Sequence, residues 1–249
     1  MITVLKFGGS SLADLDALSR FLESAVETVV VHGGGPEIQK QLDRAGLPSE
    51  FREGLRVTPA ESMEMVEMVL AGLVNKRIVA QLQRSGLPAV GLSGIDGATL
   101  RADLYQGGAW GQVGEIAEVR TDLLRTLLGG GFLPVVSPVA FGPDFAPLNV
   151  NADTSAAAVA GALKADRFVF FTDVPGLRDG QGRTVAEVTL AGLDEMIASG
   201  VITGGMIPKI TAAKAALAWG VGEVVIRSLA SSEPGTILRK EPSDVITVR

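Results

Sequence analysis

The sequence predicts an α/β protein of three-layer αβα architecture, with a central, mostly parallel sheet between helices and β-hairpin insertions. Three observations predict it. Short runs rich in β-branched residues alternate with longer helix-periodic segments. Most of those runs are apolar throughout instead of alternating, as strands covered on both faces are. Two glycine-containing stretches break the alternation and carry hairpin signals.

In chain order, the expected strands are Ile2 to Leu5, Val26 to Val31, Ala89 to Leu92, Leu133 to Ser137, Arg167 to Thr172 and Glu223 to Ile226. The expected helices lie between them. Pro36 to Ala45 starts with proline at a first-turn position. Thr58-Pro59-Ala60-Glu61 has the spacing of a capping box, and a long helical pattern follows to about Leu82. Asp122 to Leu128 stops at Gly129-Gly130-Gly131, Asp153 to Leu163 is nearly all small apolar residues, and Met206 to Trp219 stops at Gly220. The hairpin stretches are Ala98 to Val119 and Gly176 to Val185, the latter turning through Asp179-Gly180. A coarse division near Phe141 gives two lobes over one continuous sheet.

Composition removes several function classes. The chain has 249 residues, 47% of them apolar, enough for a sizeable core. Aromatics are 5% and the net charge is −6, with no basic block, which disfavours nucleic-acid and anionic-membrane partners. Cysteine is absent, so disulfides and thiol nucleophiles are excluded. No apolar run approaches the roughly 18 residues of a membrane span, and the N-terminus lacks a signal-peptide pattern. The expectation is a soluble cytoplasmic protein. A single histidine makes a His-based metal site or a Ser-His-Asp triad improbable, and no metal ligands are assigned.

Five stretches carry candidate chemistry. Gly33-Gly34-Gly35 follows a buried-looking strand and opens a helix, where backbone amides can meet an anion. Neither the P-loop nor the dinucleotide fingerprint is satisfied. Lys6 precedes Gly8-Gly9 at the end of the first strand, where ligand crevices of open α/β sheets lie. Asn149, Asn151 and Asp153 cluster before a helix of small residues; one of them suffices as an N-cap, so the others suggest ligand contact. Lys209 sits in the first turn of its helix, slightly unfavourably for the dipole, though it could be simply exposed. Arg56 offers a fork for a carboxylate or phosphate. Each could be an ordinary surface, turn or capping residue. Together they suit a reaction run by positioning and charge neutralisation, of which phosphoryl transfer is one.

The set of motifs resembles the amino acid kinase family over nearly the whole chain. It comprises KFGG (Lys6 to Gly9), VHGGGPEI (Val31 to Ile38), GLRVT (Gly54 to Thr58), EMVLAGLVNKRIV (Glu67 to Val79), GLSGIDG (Gly91 to Gly97), LNVNAD (Leu148 to Asp153), TDVPGL (Thr172 to Leu177) and GGMIPK (Gly204 to Lys209). Within that family it is most similar to the branch that phosphorylates N-acetyl-L-glutamate for arginine biosynthesis. The resemblance implies an amino acid kinase-like fold and ATP, with Mg2+ delivered alongside it. It implies that Lys6 and Lys209 neutralise the transferring phosphoryl group and that Asp153 holds both. Gly34, Gly35, Arg56, Asn149 and, near the site, Asn151 would bind the small-molecule acceptor. Gly8 and Gly9 would approach the phosphates, and Asp173, Val174, Gly176 and Thr203 would line the nucleotide. It also implies an acceptor-binding and dimerising lobe over about residues 1–140 and an ATP lobe over about 141–249. KFGGSS is similar to aspartokinases as well, but those usually carry regulatory domains for which this chain leaves no room. A sister kinase acting on carrier-bound aminoadipate is the nearest alternative, and a nucleotide-sensing regulatory protein the non-enzyme one. The first strand starts at Ile2, so a homodimer without an extra N-terminal helix, and with weak or absent arginine feedback, is expected. His32 is expected to be structural, since a carboxylate acceptor gives it no proton to take.

Overall fold

The computed structural model describes residues 1–8, 14–22 and 27–240. Gly9 and Val26, named above, lie outside them. The first part of the chain runs β1 (Thr3–Phe7), α1 (Leu15–Leu22), β2 (Thr28–His32), α2 (Gly35–Ala45), β3 (Phe51–Arg52), β4 (Leu55–Arg56), α3 (Ala60–Glu67), α4 (Asn75–Arg84), β5 (Ala89–Ser93), β6 (Leu100–Leu104) and β7 (Val113–Val119). It continues with α5 (Asp122–Gly129), β8 (Leu133–Ser137), β9 (Val139–Phe141), β10 (Pro147–Val150), α6 (Ala152–Leu163), β11 (Arg167–Phe171), β12 (Glu187–Thr189), α7 (Leu190–Ala198), α8 (Met206–Ala218), β13 (Glu223–Arg227) and β14 (Thr236–Arg239).

All six expected strands enter one eight-stranded sheet of order β12-β14-β13-β11-β1-β2-β8-β5. From β13 to β5 every pairing is parallel; β14 joins β13 antiparallel. The two strands beyond β13 escaped the sequence reading because they are short and partly polar. The sheet buries both faces, which is why its strands read as continuous apolar runs. Val4, Val29, Val31, Phe168 and Phe170 meet the layer built by α5 to α8. The alternate residues Leu5, Phe7, Val30, Val169 and Phe171 meet α1 to α4. Lys6 shares the parity of Val4 and therefore faces the α6 side.

The Ala98 to Val119 stretch forms the antiparallel pair β6–β7, which closes with β9 and β10 into a small four-stranded barrel. The Gly176 to Val185 stretch makes a single antiparallel bridge, Arg178 to Thr184. Its turn is set by the Asp179 carboxylate, which accepts the amides of Gln181 and Arg183, and by Gly182 at φ +79°. The left-handed residue is thus Gly182, not Gly180 as a two-residue Asp-Gly turn requires.

The capping box at Thr58 does not form. Pro59 occupies the N-cap position of α3, and no side chain caps that helix. The Thr58 hydroxyl instead donates to Arg56 O at 2.7 Å and accepts from Asn149 Nδ2 at 3.0 Å. The long helix from Ala60 is interrupted by a π-helical turn, Met68–Val74, a feature common near functional sites.

Candidate active site

The C-terminal ends of β1, β2, β8 and β11 share one edge of the sheet, and the N-termini of α6 and α8 carry side chains towards it. Lys6 is the penultimate residue of β1 and Lys209 lies in the first turn of α8. Asp153 lies in the first turn of α6, whose N-cap is Asn151. Asp153 Oδ1 is 2.8 Å from Lys6 Nζ, and Oδ2 is 2.8 Å from Lys209 Nζ. The Lys209 contact is also a hydrogen bond. The Asp153 side chain is only 9% exposed. Burial opposes its ionisation, but the two ammonium groups outweigh that and hold its carboxyl below the usual carboxylate range. The first-turn lysine thus has its partner, which answers the dipole objection.

A cleft of about 240 Å³ opens beside this clamp. Lys6, Asp153, Gly34, Gly35, Arg56, Asn149 and Asn151 all line it. Arg56 is buried and tightly held. Its Nη1 donates to Gln39 Oε1 at 2.8 Å and to Ser49 Oγ, and its Nη2 donates to Gly35 O at 3.1 Å. The guanidinium also stacks over Phe51, 4.5 Å from the ring centre. Burial pulls its pKa below the ordinary value, with Asp43 partly offsetting. Asn149 reaches the cleft from β10 while tied to Thr58. Asn151 accepts the amides of Asp153 at 2.8 Å and Thr154 at 3.2 Å. Its side-chain oxygen therefore does the capping work that sets Asp153 at the helix start.

The two glycine turns meet. Gly33 N donates to Phe7 O at 2.8 Å, and a Cβ on Gly8 would lie 3.0 Å from Gly33 N. A Cβ on Gly34 would stand 2.7 Å from Leu70 Cδ2, in the π turn, so only glycine fits there without a shift. The residues assigned to the nucleotide lie elsewhere. Asp173 and Val174 follow β11, with Asp173 exposed and accepting from the Thr172 hydroxyl at 2.9 Å. Gly176 is buried against Thr236, and Thr203 is exposed just before α8. None of these four lines the cleft around Arg56.

Two lysines from distant segments clamped by one buried carboxylate, beside a cleft holding a buried arginine, form a cation-rich surface with no nucleophile-base pair among the described residues. Residues 1–228 match the model of the amino acid kinase family. The chain belongs to that family. This amino acid kinase is 46% identical over 250 residues to the acetylglutamate kinase of Geobacillus kaustophilus (strain HTA426), with 96% of each chain covered. It is 43% identical over 247 residues to the acetylglutamate kinase of Methanopyrus kandleri, covering 95% of this chain and 99% of that one. Among solved structures, smu.665 from Streptococcus mutans UA159 superimposes with a TM-score of 0.84 at 30% identity, covering 96% and 98% of the two chains.

His32 ends β2 in this amino acid kinase and is fully buried. Its Nδ1 lies 2.9 Å from Gly33 O and its Nε2 lies 3.1 Å from Asn75 Nδ2. Burial, with Lys76 adding a smaller push, drives its pKa down to about 4 despite the opposing bond to Gly33. With both nitrogens engaged and the ring neutral, it has no free lone pair to act as a base.

Gln39, Ser49, Thr58 and Asn75 were not read as part of the site. Gln39, Ser49 and Thr58 are polar residues in or beside helical and hairpin patterns, and nothing local distinguishes them. Asn75 did leave a signal: it lies on the buried stripe of α4 with Ile78 and Leu82. A polar residue at an apolar position of an amphipathic helix has to find partners inside.

Proposed function

We propose that this chain transfers the γ-phosphoryl group of ATP to the side-chain carboxylate of N-acetyl-L-glutamate, forming the acyl phosphate used in arginine biosynthesis. The observation that carries it is the clamp: one carboxylate oxygen per lysine, at 2.8 Å each, beside the Arg56 cleft. The family and the acetylglutamate kinase relatives at 43–46% identity support it.

The chemistry follows from charge. The acceptor carboxylate, with a reference pKa of about 4.3, is ionised at neutral pH and needs no base. The obstacle is bringing an anion to a polyanion, which preorganised cations and amide groups ease most as charge redistributes in the transition state. Lys6 and Lys209 would face the transferring group, and Arg56 would pair with the acceptor's α-carboxylate beside Asn149. The Gly34 and Gly35 amides would meet the group in transit. Gly8 and Gly9 would approach the phosphates, with Asp173 to Gly176 and Thr203 lining the nucleotide. Both Asp153 oxygens are occupied by lysines, and among the described residues no cluster of three His, Cys, Asp or Glu could hold a metal. Mg2+ would therefore be carried by the phosphates and water. The same reading assigns acceptor binding to the lobe of about residues 1–140 and ATP to that of about 141–249, in a cytoplasmic homodimer. No helix among the described residues is long and apolar enough to cross a membrane.

Trapping acyl phosphate with hydroxylamine tests it across N-acetylglutamate, aspartate and carrier-bound aminoadipate. N-acetylglutamate should give the highest ATP-dependent kcat/KM. Preference for either other acceptor overturns the substrate, and absence of ATP-dependent product with all three overturns the activity.

A further inference from the structure

The hydrogen bonds around His32 fix which of its nitrogens carries the proton. Asn75 Nδ2 lies 2.9 Å from Val135 O and 3.2 Å from Leu92 O, while Oδ1 lies 3.0 Å from Lys76 Nζ. Two carbonyls and an ammonium leave that amide a single orientation, with its NH2 towards His32. Gly33 O can only accept, so Nδ1 carries the proton and donates to it, while Nε2 turns its lone pair to the Asn75 NH2, whose two hydrogens it shares with Val135 O and Leu92 O.

That bond reaches beyond Gly33. Its C=O and the N–H of Gly34 lie in one trans peptide plane and point in opposite directions. Holding the carbonyl holds the amide, in a glycine turn that would otherwise rotate freely. The preceding plane is held by Gly33 N on Phe7 O. Gly34 is wedged against Leu70 and Val74 of the π turn, which leads directly into Asn75. One helical segment thus grips the glycine turn twice, through side-chain packing and through the histidine. Among the described residues the Gly34 and Gly35 amides have no hydrogen-bond partner, and both residues line the cleft.

We propose that His32 is a positioning residue: it grips the Gly33 carbonyl so that the Gly34 amide is aimed at the group transferred in the cleft, and Asn75 backs the ring from its Nε2 side. The proposal rests on the phosphotransferase reading above. It explains why a buried histidine is spent on its neighbour's carbonyl.

Two isosteres separate positioning from packing. In His32→Asn the side-chain amide reaches the place of Nδ1 and still donates to Gly33 O. In His32→Gln it reaches the place of Nε2 and serves Asn75 alone. Both lose ring packing and should melt lower. At saturating substrates His32→Gln should lose about 30-fold in kcat, somewhat less than deletion of a whole transition-state donor. His32→Asn should stay within about threefold of wild type, with the KM for ATP unchanged in both. In the ligand-free protein, Gly34 amide hydrogen exchange should quicken in His32→Gln and stay near wild type in His32→Asn. If kcat tracks melting temperature across both variants, or Gly34 exchange is unaltered in His32→Gln, the proposal is wrong. Should either variant fail to fold, Asn75→Ala keeps the ring and removes its support at Nε2; kcat and Gly34 exchange both at wild-type values there would overturn it. If the wild-type protein does not phosphorylate N-acetylglutamate, the functional reading falls while the exchange comparison still decides the positioning role.

Discussion

The two sides of the proposed reaction centre are built differently. On the acceptor side, buried groups hold one another: Arg56 by Gln39, Ser49 and Gly35, Asn149 by Thr58, and the glycine turn by His32 and the π turn. On the nucleotide side, Asp173 and Thr203 are exposed, and the Asp173 carboxylate touches the neighbouring Thr172 hydroxyl. The clamp of Lys6, Asp153 and Lys209 sits where the two meet. In that proposed division the acceptor half is held by buried contacts, whereas two of the four residues proposed for the donor half, Asp173 and Thr203, stand exposed.

Perturbations should therefore differ in size and in kind. The largest effect belongs to the junction. Lys6→Ala or Lys209→Ala should each lower kcat by about 10²–10³-fold, the usual cost of deleting one preorganised charge-stabilising group. Turnover within threefold of wild type in both would remove the lysines from the mechanism. Next comes Arg56→Ala, which deletes a buried, multiply bonded cation and should raise the KM for the acceptor about 100-fold, equivalent to roughly 3 kcal/mol. The KM for ATP should stay within about threefold; an effect confined to ATP would reverse the assignment of the two sides.

The third prediction concerns stability. His32 titrates near 6.5 when unfolded and at about 4 in the fold. Between those values the unfolded chain holds a proton that the folded protein does not, so stability falls as pH drops through that window. The slope is about 1.4 kcal/mol per pH unit and the total about 3 kcal/mol, levelling off below pH about 4. Urea midpoints at pH 7, 5.5 and 4.5 measure it, and His32→Asn should flatten this part of the curve. Equal slopes in the two proteins would contradict the buried neutral ring. Asp153, held low by its lysines, adds a loss only at more acid pH, as pH falls below the ordinary carboxylate range towards its depressed pKa. The smallest effect belongs to the exposed side. Asp173→Asn should change the KM for ATP by less than about tenfold, with no shift in melting temperature.

How much of this was legible in the sequence follows the same division. Five of the six strands read from sequence are inner and left nearly unbroken apolar runs because they are covered on both faces; β5, at the sheet's other edge, is half-buried and was read from its short apolar run alone. Strands β12 and β14 lie beyond β13 at the sheet's end and left no such run. Lys6 stood out beside a glycine pair at a predicted strand end, Asp153 in an Asn/Asp cluster before a helix, Lys209 in the first turn of its helix, and Arg56 as a fork just before the expected cap. The network that holds Arg56 did not, because Gln39 and Ser49 are unremarkable in a one-dimensional pattern and become partners only when α2 and the β3–β4 hairpin come together. Thr58 was misread for a related reason. Its spacing to Glu61 fits a cap, but its hydroxyl is drawn to Arg56 O and Asn149 once β10 lies alongside.

The clamp also records how the chain was assembled. Its members come from an early strand, a central helix and a late helix, and β1 finds its two neighbours in β2 and β11, far apart in sequence. A nascent chain that has emerged only as far as α6 holds Lys6 and Asp153 but lacks the second ammonium. The triad is finished only when α8 follows and Lys209 reaches the free oxygen of Asp153.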